Sequence, residues 1–220
     1  MARQKETAAV LVSGGIDSAI LLSEMTQEYA EVYPLYIRNG LRWEAMELLW
    51  LKRFLERLRQ PKIQPVTLLD LPIQDLQKAH WSVTGKGVPD AASEDSAVYI
   101  PGRNIFLLAK AGVWCNLKDV PTLAIGILRG NPFPDATPGF FETIEASFSE
   151  GLRFDLSIIA PFSHLSKKEV LLKGKDLPLE LTFSCFSPSG EDHCGKCNKC
   201  AERKRAFRNA ALSDPTTYAA

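Results

Sequence analysis

The sequence predicts an α/β protein: a doubly wound, mostly parallel five-stranded sheet followed by a small cysteine-bearing helical segment. Three observations point there. Short apolar runs alternate with amphipathic stretches, strand then helix, up to a fifth strand, which is the pattern of parallel strands joined by crossover helices. The Gly- and Pro-containing loops follow strands, so they share the rim where such sheets bind ligands. Four of the five cysteines crowd into residues 185–200, after the alternation has ended. The expected boundary lies between residues 181 and 182, with 1–181 forming the sheet domain and 182–220 packing on it.

The first strand is the apolar run Ala8–Val12, and residues 16–30 form the first helix, with Ile20, Leu21 and Leu22 apolar and Ser23, Glu24 and Gln27 polar. Glu31–Ile37 reads as the second strand. Pro34 within it demands a local irregularity or a position that is not fully hydrogen-bonded. Arg38-Asn39-Gly40 turns the chain into a helix over 41–59, where Leu41, Ala45, Leu48, Leu51 or Lys52, Leu55 and Leu58 recur at spacings of three and four. Trp43 and Trp50 widen that stripe as core aromatics. Ile63–Leu69 is the third strand.

Residues 70–98 lack periodicity and hold Pro72, Gly85, Gly87 and Pro89. A loop this long in a compact domain has a task, such as covering a site, or is partly disordered. His80 within it reads as a surface or packing residue before a catalytic one. Tyr99–Asn104 then leads into a buried apolar helix, with Asn104 or the Pro101-Gly102 turn starting it. Arg103 opposes the helix dipole there, so a specific anion or carboxylate partner is expected. Pro121–Gly126 is the fourth strand, 126–139 a second Gly- and Pro-rich loop, 140–151 a helix and Leu156–Ala160 the fifth strand. Ser166, followed three residues later by Glu169, makes a capping box for a short helix.

The chemistry gathers at Ala8–Ser18. A buried strand, a small-residue turn and a helix start place backbone N–H groups and a positive helix end against an anion. Ser13 and Ser18 offer hydroxyls, and Gly14 and Gly15 allow close approach. Asp17 is expected to cap the helix or order the loop through side-chain-to-backbone bonds. The Gly-x-x-x-x-Gly-Lys-Ser/Thr pattern is absent, so this is no Walker A loop. A generic Ser-Gly-Gly turn is the plainer alternative; Ser-Gly-Gly-Ile-Asp-Ser directly after Val-Leu-Val favours nucleotide binding.

Cys185, Cys194, Cys197 and Cys200 form two overlapping Cys-x-x-Cys turns plus one thiol upstream. Four thiolates at this spacing close a tetrahedron around one Zn²⁺ and leave no open position for chemistry. An iron–sulfur cluster is the competing reading, and a thioredoxin-like redox pair the weaker one. Cys115 falls in the apolar helix as a small core residue. His193 adjoins the cluster without being needed as a ligand.

Composition narrows the classes. Lys and Arg together number 26, matching 26 Asp and Glu, so no overall field favours nucleic acid or a membrane surface. Arg203-Lys204-Arg205 reads as a solvated helix face. No apolar run approaches the roughly 20 residues that span a bilayer. The leading residues lack a signal-peptide apolar stretch. Clustered cysteines suit a metal site in a reducing compartment. A cytoplasmic location is expected.

The phosphate-loop stretch resembles that of the PP-loop ATP pyrophosphatase superfamily, adenine nucleotide alpha hydrolase-like proteins that transfer AMP to an acceptor oxygen. Taken with Pro101-Gly102-Arg103-Asn104, residues 131–141, Ser166–Val170 and the cysteine pattern between Thr182-Phe183-Ser184 and Arg203–Phe207, the chain from about residue 8 to 208 resembles the 7-cyano-7-deazaguanine (preQ0) synthase family of queuosine biosynthesis. The resemblance implies an ATP-dependent carbon–nitrogen ligase. Such an enzyme adenylates 7-carboxy-7-deazaguanine and converts it with ammonia to the nitrile, with Mg²⁺ on the nucleotide, structural Zn²⁺ and pairing into a homodimer. By position, Ser13, Gly14, Gly15, Asp17 and Ser18 would hold pyrophosphate, and the backbone around Tyr36 and Ile37 would flank adenine. Arg103 and Lys167 would meet phosphate or developing charge, Asp135 would lie on the acceptor side, and the four cysteines would bind zinc.

Two stretches depart from the family pattern. Its Tyr-Gly-Gln-x-His-like segment is here Tyr36-Ile37-Arg38-Asn39-Gly40-Leu41-Arg42-Trp43, without a histidine, and its Ser-Gly-Tyr-Pro-Asp-Cys-Arg-Pro is here residues 131–138, Asn-Pro-Phe-Pro-Asp-Ala-Thr-Pro. Two alternatives stay open: an adenylating enzyme for another acceptor (a different deazapurine acid, a protein terminus or a tRNA base), and a nucleotide-binding module without catalysis.

Overall fold

The computed structural model describes residues 5–219; residues 1–4, part of the leading stretch lacking a signal-peptide pattern, lie outside the described residues. Five strands, β1 (Lys5–Leu11), β2 (Tyr29–Arg38), β3 (Thr67–Asp70), β4 (Thr122–Ala124) and β5 (Ser157–Ile159), form one sheet in the order β3-β2-β1-β4-β5. Every pairing is parallel. The crossover segments carry α1 (Ile16–Glu28), α2 (Glu44–Leu58), α3 (Trp81–Thr84), α4 (Arg103–Lys118) and α5 (Pro138–Leu152); α6 (Lys167–Lys173) and α7 (Asn198–Asn209) follow β5. The strand order reverses between β1 and β4, so a crevice opens beyond their carboxyl ends.

β1 explains the two-sided packing. Ala8 and Val10 face a core that takes in α1, α6 and α7, with Leu51 of α2 and Phe207 of α7 among its buried residues. Ala9 and Leu11 face the other core, with Leu108 of α4 and Phe141 of α5. A strand covered on both faces reads as an unbroken apolar run because neither alternating set reaches water.

The Pro34 irregularity has a concrete form. Val32 gives its N–H to Lys62 O at 2.8 Å and accepts from Gln64 N at 2.9 Å, so it faces the β3 side. By alternation Pro34 faces the same way. Lacking an N–H, it sits where pairing lapses between the isolated Val32–Ile63 bridge and the ladder that resumes at Leu35–Thr67. This is why β3 begins at Thr67 and not at Ile63.

The stripe expected on α2 is rotated. Ala45 is exposed, and the buried positions are Glu44, Glu47, Leu51 and Phe54. Two carboxylates replace aliphatics on the core face because donors await them. Asn39 N (2.6 Å) and Gly40 N (3.0 Å) bond Glu44, and Tyr36 Oη donates to Glu47 at 2.8 Å.

Residues 70–98 are ordered against the body. Trp81 of α3 stacks on Trp43 at 5.6 Å, and Phe186 meets both rings at 4.7 and 4.8 Å. His80 caps α3, its Nδ1 accepting from Ser82 N at 3.3 Å. The capping box at Ser166 and Glu169 is formed. Arg203 corrects the reading of 203–205 as a solvated face. It is 1% exposed, and its guanidinium donates to Thr182 Oγ1 and Leu179 O, both at 2.8 Å. Its neighbour Lys204 rests over the Tyr218 ring. No helix among the described residues is long and apolar enough to cross a membrane.

Candidate functional site

A cleft of about 500 Å³ occupies the crevice between the carboxyl ends of β1 and β4. At one end lies the turn after β1. Gly14 adopts φ +74°, and a Cβ there would stand 2.8 Å from the carbonyl oxygen of Glu47, so only glycine lets the loop pass α2. Ser18 Oγ accepts from Ser13 N and donates to Gly15 O, both at 3.1 Å. Ala19 makes the first intrahelical bond of α1, to Gly15 O at 3.0 Å. The amides of Ile16, Asp17 and Ser18 precede that bond at a positive helix end, the arrangement that receives an anion.

Asp17 does not cap α1. Gly15 is the N-cap residue, and the loop is ordered by Ser13 and Ser18. The Asp17 carboxylate turns instead to Lys167, whose Nζ lies 2.6 Å from Oδ2. Asp17 Oδ1 is buried with no hydrogen-bond partner. Lys167 opens α6, and Nζ also approaches Glu202 Oε1 of α7 at 3.1 Å, while Lys199 holds Glu202 Oε2 at 2.6 Å. Burial pushes the Lys167 ammonium down, but Asp17 and then Glu202 outweigh it and leave its pKa raised. Burial opposes ionisation of Glu202 too, and Lys167 and Lys199 reverse that and hold it below the usual carboxylate range. This end of the cleft therefore carries fixed, mutually paired charge.

The other end is built by the start of α4 and by residues 125–135. Gly102, at φ 72°, is the N-cap of α4, and Arg103 is its first residue. The Asp135 carboxylate caps this helix from outside: Oδ2 accepts from Asn104 N at 3.0 Å, and the Asn104 amide returns a bond to Asp135 O at 2.9 Å. Asp135 is 5% exposed and lines the cleft. The expected partner for Arg103 is a field and not a contact. Its charge lowers the pKa of both Glu44 and Glu47, yet its Nε is buried without a hydrogen-bond partner. Desolvation dominates at Glu47 and pushes it up to about 7, against the pull of Arg103 and the Tyr36 and Trp43 bonds. Burial, then Glu47, raises the Tyr36 phenol far above its ordinary value. The Tyr99 and Phe133 rings, 5.1 Å apart, add an aromatic wall.

Ser13, Gly15, Asp17, Ser18, Tyr36, Ile37, Arg103, Asp135 and Lys167 thus meet in one cleft. Gly14 shapes the loop from behind. His80 is not among the cleft residues. Glu44, Glu47, Lys199 and Glu202 were missed in the sequence. The only signal for the first pair is two acids at i and i+3 in register with Leu51 and Phe54.

The sulfurs of Cys185, Cys194, Cys197 and Cys200 lie within 4.8 Å of one another. Cys200 Sγ is 3.9 Å from Cys194 Sγ and 3.5 Å from Cys197 Sγ. A tetrahedral ion with Zn–S bonds of about 2.3 Å requires edges near 3.8 Å, so the set fits one ion and is too tight to enclose a four-iron cubane. Backbone N–H groups point at the sulfurs: Cys194 N at 3.3 Å from Cys185 Sγ, and Lys196 N and Cys197 N each 3.4 Å from Cys194 Sγ. His193 is not a fifth candidate. Its Nε2 accepts from Ser184 N at 3.0 Å, and burial, with Arg203 nearby, lowers its pKa to about 3.

A model of the family described as queuosine biosynthesis protein QueC matches residues 7–211. The chain belongs to the QueC family. A 7-cyano-7-deazaguanine synthase of Acidobacterium capsulatum is 32% identical, the match covering 100% of this chain and 99% of the relative. One of Methanothermobacter thermautotrophicus is 30% identical over 96% of this chain and 98% of that one. The QueC-like chain is thus a ligase-type enzyme of the PP-loop fold.

Solved structures show that fold too. The U34-tRNA thiolase NcsA of Methanococcus maripaludis, described with its [4Fe-4S] cluster, aligns at TM-score 0.52 and 13% identity, over 94% of this chain and 68% of that one. A predicted tRNA methyltransferase subunit of Methanocaldococcus jannaschii aligns at TM-score 0.53 and 14% identity, over 97% and 92%.

Proposed function

We propose that this QueC-family enzyme makes 7-cyano-7-deazaguanine from 7-carboxy-7-deazaguanine, ammonia and ATP. The observation that carries the reading is the single cleft joining the phosphate-loop end, with Lys167, to the acceptor end, with Arg103. ATP lies with its phosphates on Ser13, Gly14, Gly15, Asp17 and Ser18, and with adenine against the backbone at Tyr36 and Ile37. The substrate carboxylate oxygen attacks the α-phosphorus, and pyrophosphate leaves. Ammonia attacks the acyl carbon and AMP leaves, giving the amide and a released proton. The amide oxygen attacks the α-phosphorus of a second ATP, and a second pyrophosphate and one amide proton leave; loss of AMP and the remaining nitrogen proton then gives the nitrile.

The protein supplies position and charge compensation. Lys167 meets the phosphate charge, and Arg103, with an unspent N–H, meets the negative charge at the acceptor. Asp135 acts as a positioning residue by capping the turn that presents Arg103. The buried, partnerless Asp17 Oδ1 fits a cation at the phosphates, and Mg²⁺ there would neutralise phosphate charge. The cysteine set fits Zn²⁺ as a structural ion, within a C-terminal segment of residues 182–220 that packs on the 1–181 domain. A cytoplasmic setting suits reduced thiols. Pairing of two copies is supported by α4, whose outward positions Ile105, Ala109, Val113 and Leu117 are all apolar and exposed. Light scattering should give a dimer for the wild type and a monomer for Leu117→Glu.

Incubating the enzyme with ATP, ammonia and 7-carboxy-7-deazaguanine should release pyrophosphate and form the nitrile. ATP turnover with another carboxylate alone would move the assignment to a different acceptor. One observation favours testing such acids. The stretch 36–43 lacks the histidine of the family pattern, and at Gly40 within it the Gln74 side chain occupies the space a Cβ would enter, 2.1 Å away.

A further inference from the structure

The C-terminal cysteine segment touches the phosphate loop by two separate routes. The first is ionic. Cys197 is the N-cap residue of α7, Cys200 lies in its first turn, and Glu202 stands two residues further on. Glu202 Oε1 stands 3.1 Å from Lys167 Nζ, which stands 2.6 Å from Asp17 Oδ2 in the first turn of α1. One ammonium therefore bridges the starts of α1 and α7. The second route runs through the backbone. Phe183, two residues before Cys185, gives its N–H to Gly14 O at 2.8 Å. Arg203, the residue after Glu202, fixes that strand of chain through Thr182 Oγ1 at 2.8 Å. Both routes leave α7 beside its cysteines, and they arrive at opposite ends of the loop, at Gly14 and at Asp17.

We infer that the cysteine segment forms one wall of the phosphate site, that Glu202 is its positioning residue, and that metal and nucleotide binding are positively coupled through it. This rests on the nucleotide reading given above. With Asp17 and Glu202 on either side, Lys167 Nζ is held over the loop. With Glu202 gone, the ammonium has only Asp17 and lies down against it. A metal ion closing Cys185 onto Cys194, Cys197 and Cys200 fixes where α7 begins. It therefore fixes where Glu202 stands and how Phe183 meets Gly14. Coupling between two sites is reciprocal in affinity, so the effect is measurable from either side.

The test uses the full chain loaded with Zn²⁺. Zn²⁺ affinity is measured by chelator competition with and without a saturating ATP analogue carrying a methylene between the α- and β-phosphorus. Analogue affinity is measured by calorimetry. The expected result is that the analogue tightens Zn²⁺ by about tenfold, within the range of ordinary allosteric coupling. Glu202→Gln should keep the unliganded Zn²⁺ affinity, weaken the analogue and bring the coupling close to none. Lys173→Ala is the control. It breaks the α6–α1 pair Lys173–Glu24 (2.6 Å) away from the cleft and should leave the coupling intact. Equal Zn²⁺ affinity with and without bound analogue overturns the inference while leaving the nucleotide reading standing. Equal loss of coupling in both variants also overturns it, since loosened packing would then be the cause. A wild-type protein that binds no analogue overturns both readings.

Discussion

The two ends of the cleft hold charge in opposite ways. At the phosphate end Lys167, Asp17, Glu202 and Lys199 are already paired within 3.1 Å. At the acceptor end Glu47 is buried and raised to about 7, and Arg103 Nε has no partner. Under the proposed function the paired set is pre-organised for one recurring ligand, the triphosphate. An under-satisfied set is costly in the free protein and is relieved when a polar acceptor arrives. Under the proposed function the difference divides binding from specificity, with the triphosphate at the paired end and the acceptor at the unpaired one.

The sharpest break of that division is Lys167→Ala. Turnover should fall by about 10²–10³-fold, as for loss of a preorganised charge at a developing oxyanion, with the far-ultraviolet spectrum unchanged. Unaltered pyrophosphate release would remove Lys167 from the chemistry. Arg103→Ala should fall next, by about tenfold to a hundredfold in kcat/KM for the acceptor. Its KM for ATP should barely move, since the deficit belongs to the other end; a purely ATP-side defect would merge the two ends.

Glu47 tests the strain directly. A carboxyl whose folded value sits near 7 keeps its proton where the unfolded chain, near 4.5, has lost it. Stability therefore declines as pH rises from about 4.5 to 7, by ~3 kcal/mol from this group. Urea titrations should show that decline in the wild type and a flatter profile in Glu47→Gln. Equal slopes would mean that the carboxyl is not strained. Smallest, Ser166→Ala removes the cap of the helix carrying Lys167 and should cost ~1 kcal/mol, read in the same titrations.

The same contrast explains what was legible in the sequence. The phosphate end is local: residues 13–18 fit between one strand and one helix, and four cysteines fall within sixteen positions. The five strands and their parallel order followed from periodicity, and Pro34 marked the lapse that shortens β3. The acceptor end joins α2, the start of α4 and residues 131–135 across the sheet, so no spacing announces it. Glu44 and Glu47 spoil an apolar stripe, and their donors, the amides of residues 39 and 40 and the Tyr36 phenol, are visible only once β2 and α2 pack. Arg203 reads as surface charge for the same reason, because Thr182 and Leu179 reach it from elsewhere in the chain. Local sequence offers Asp17 a cap of its own helix or a bond within its loop, and Lys167, 150 residues away, takes it instead.

The most direct test of the whole account is a quenched-flow measurement of pyrophosphate and AMP with ATP, ammonia and 7-carboxy-7-deazaguanine. Pyrophosphate should appear first, AMP should follow, and two of each should accompany every nitrile. ATP bound but never cleaved between its α- and β-phosphorus, with this or any other carboxylate, would contradict it.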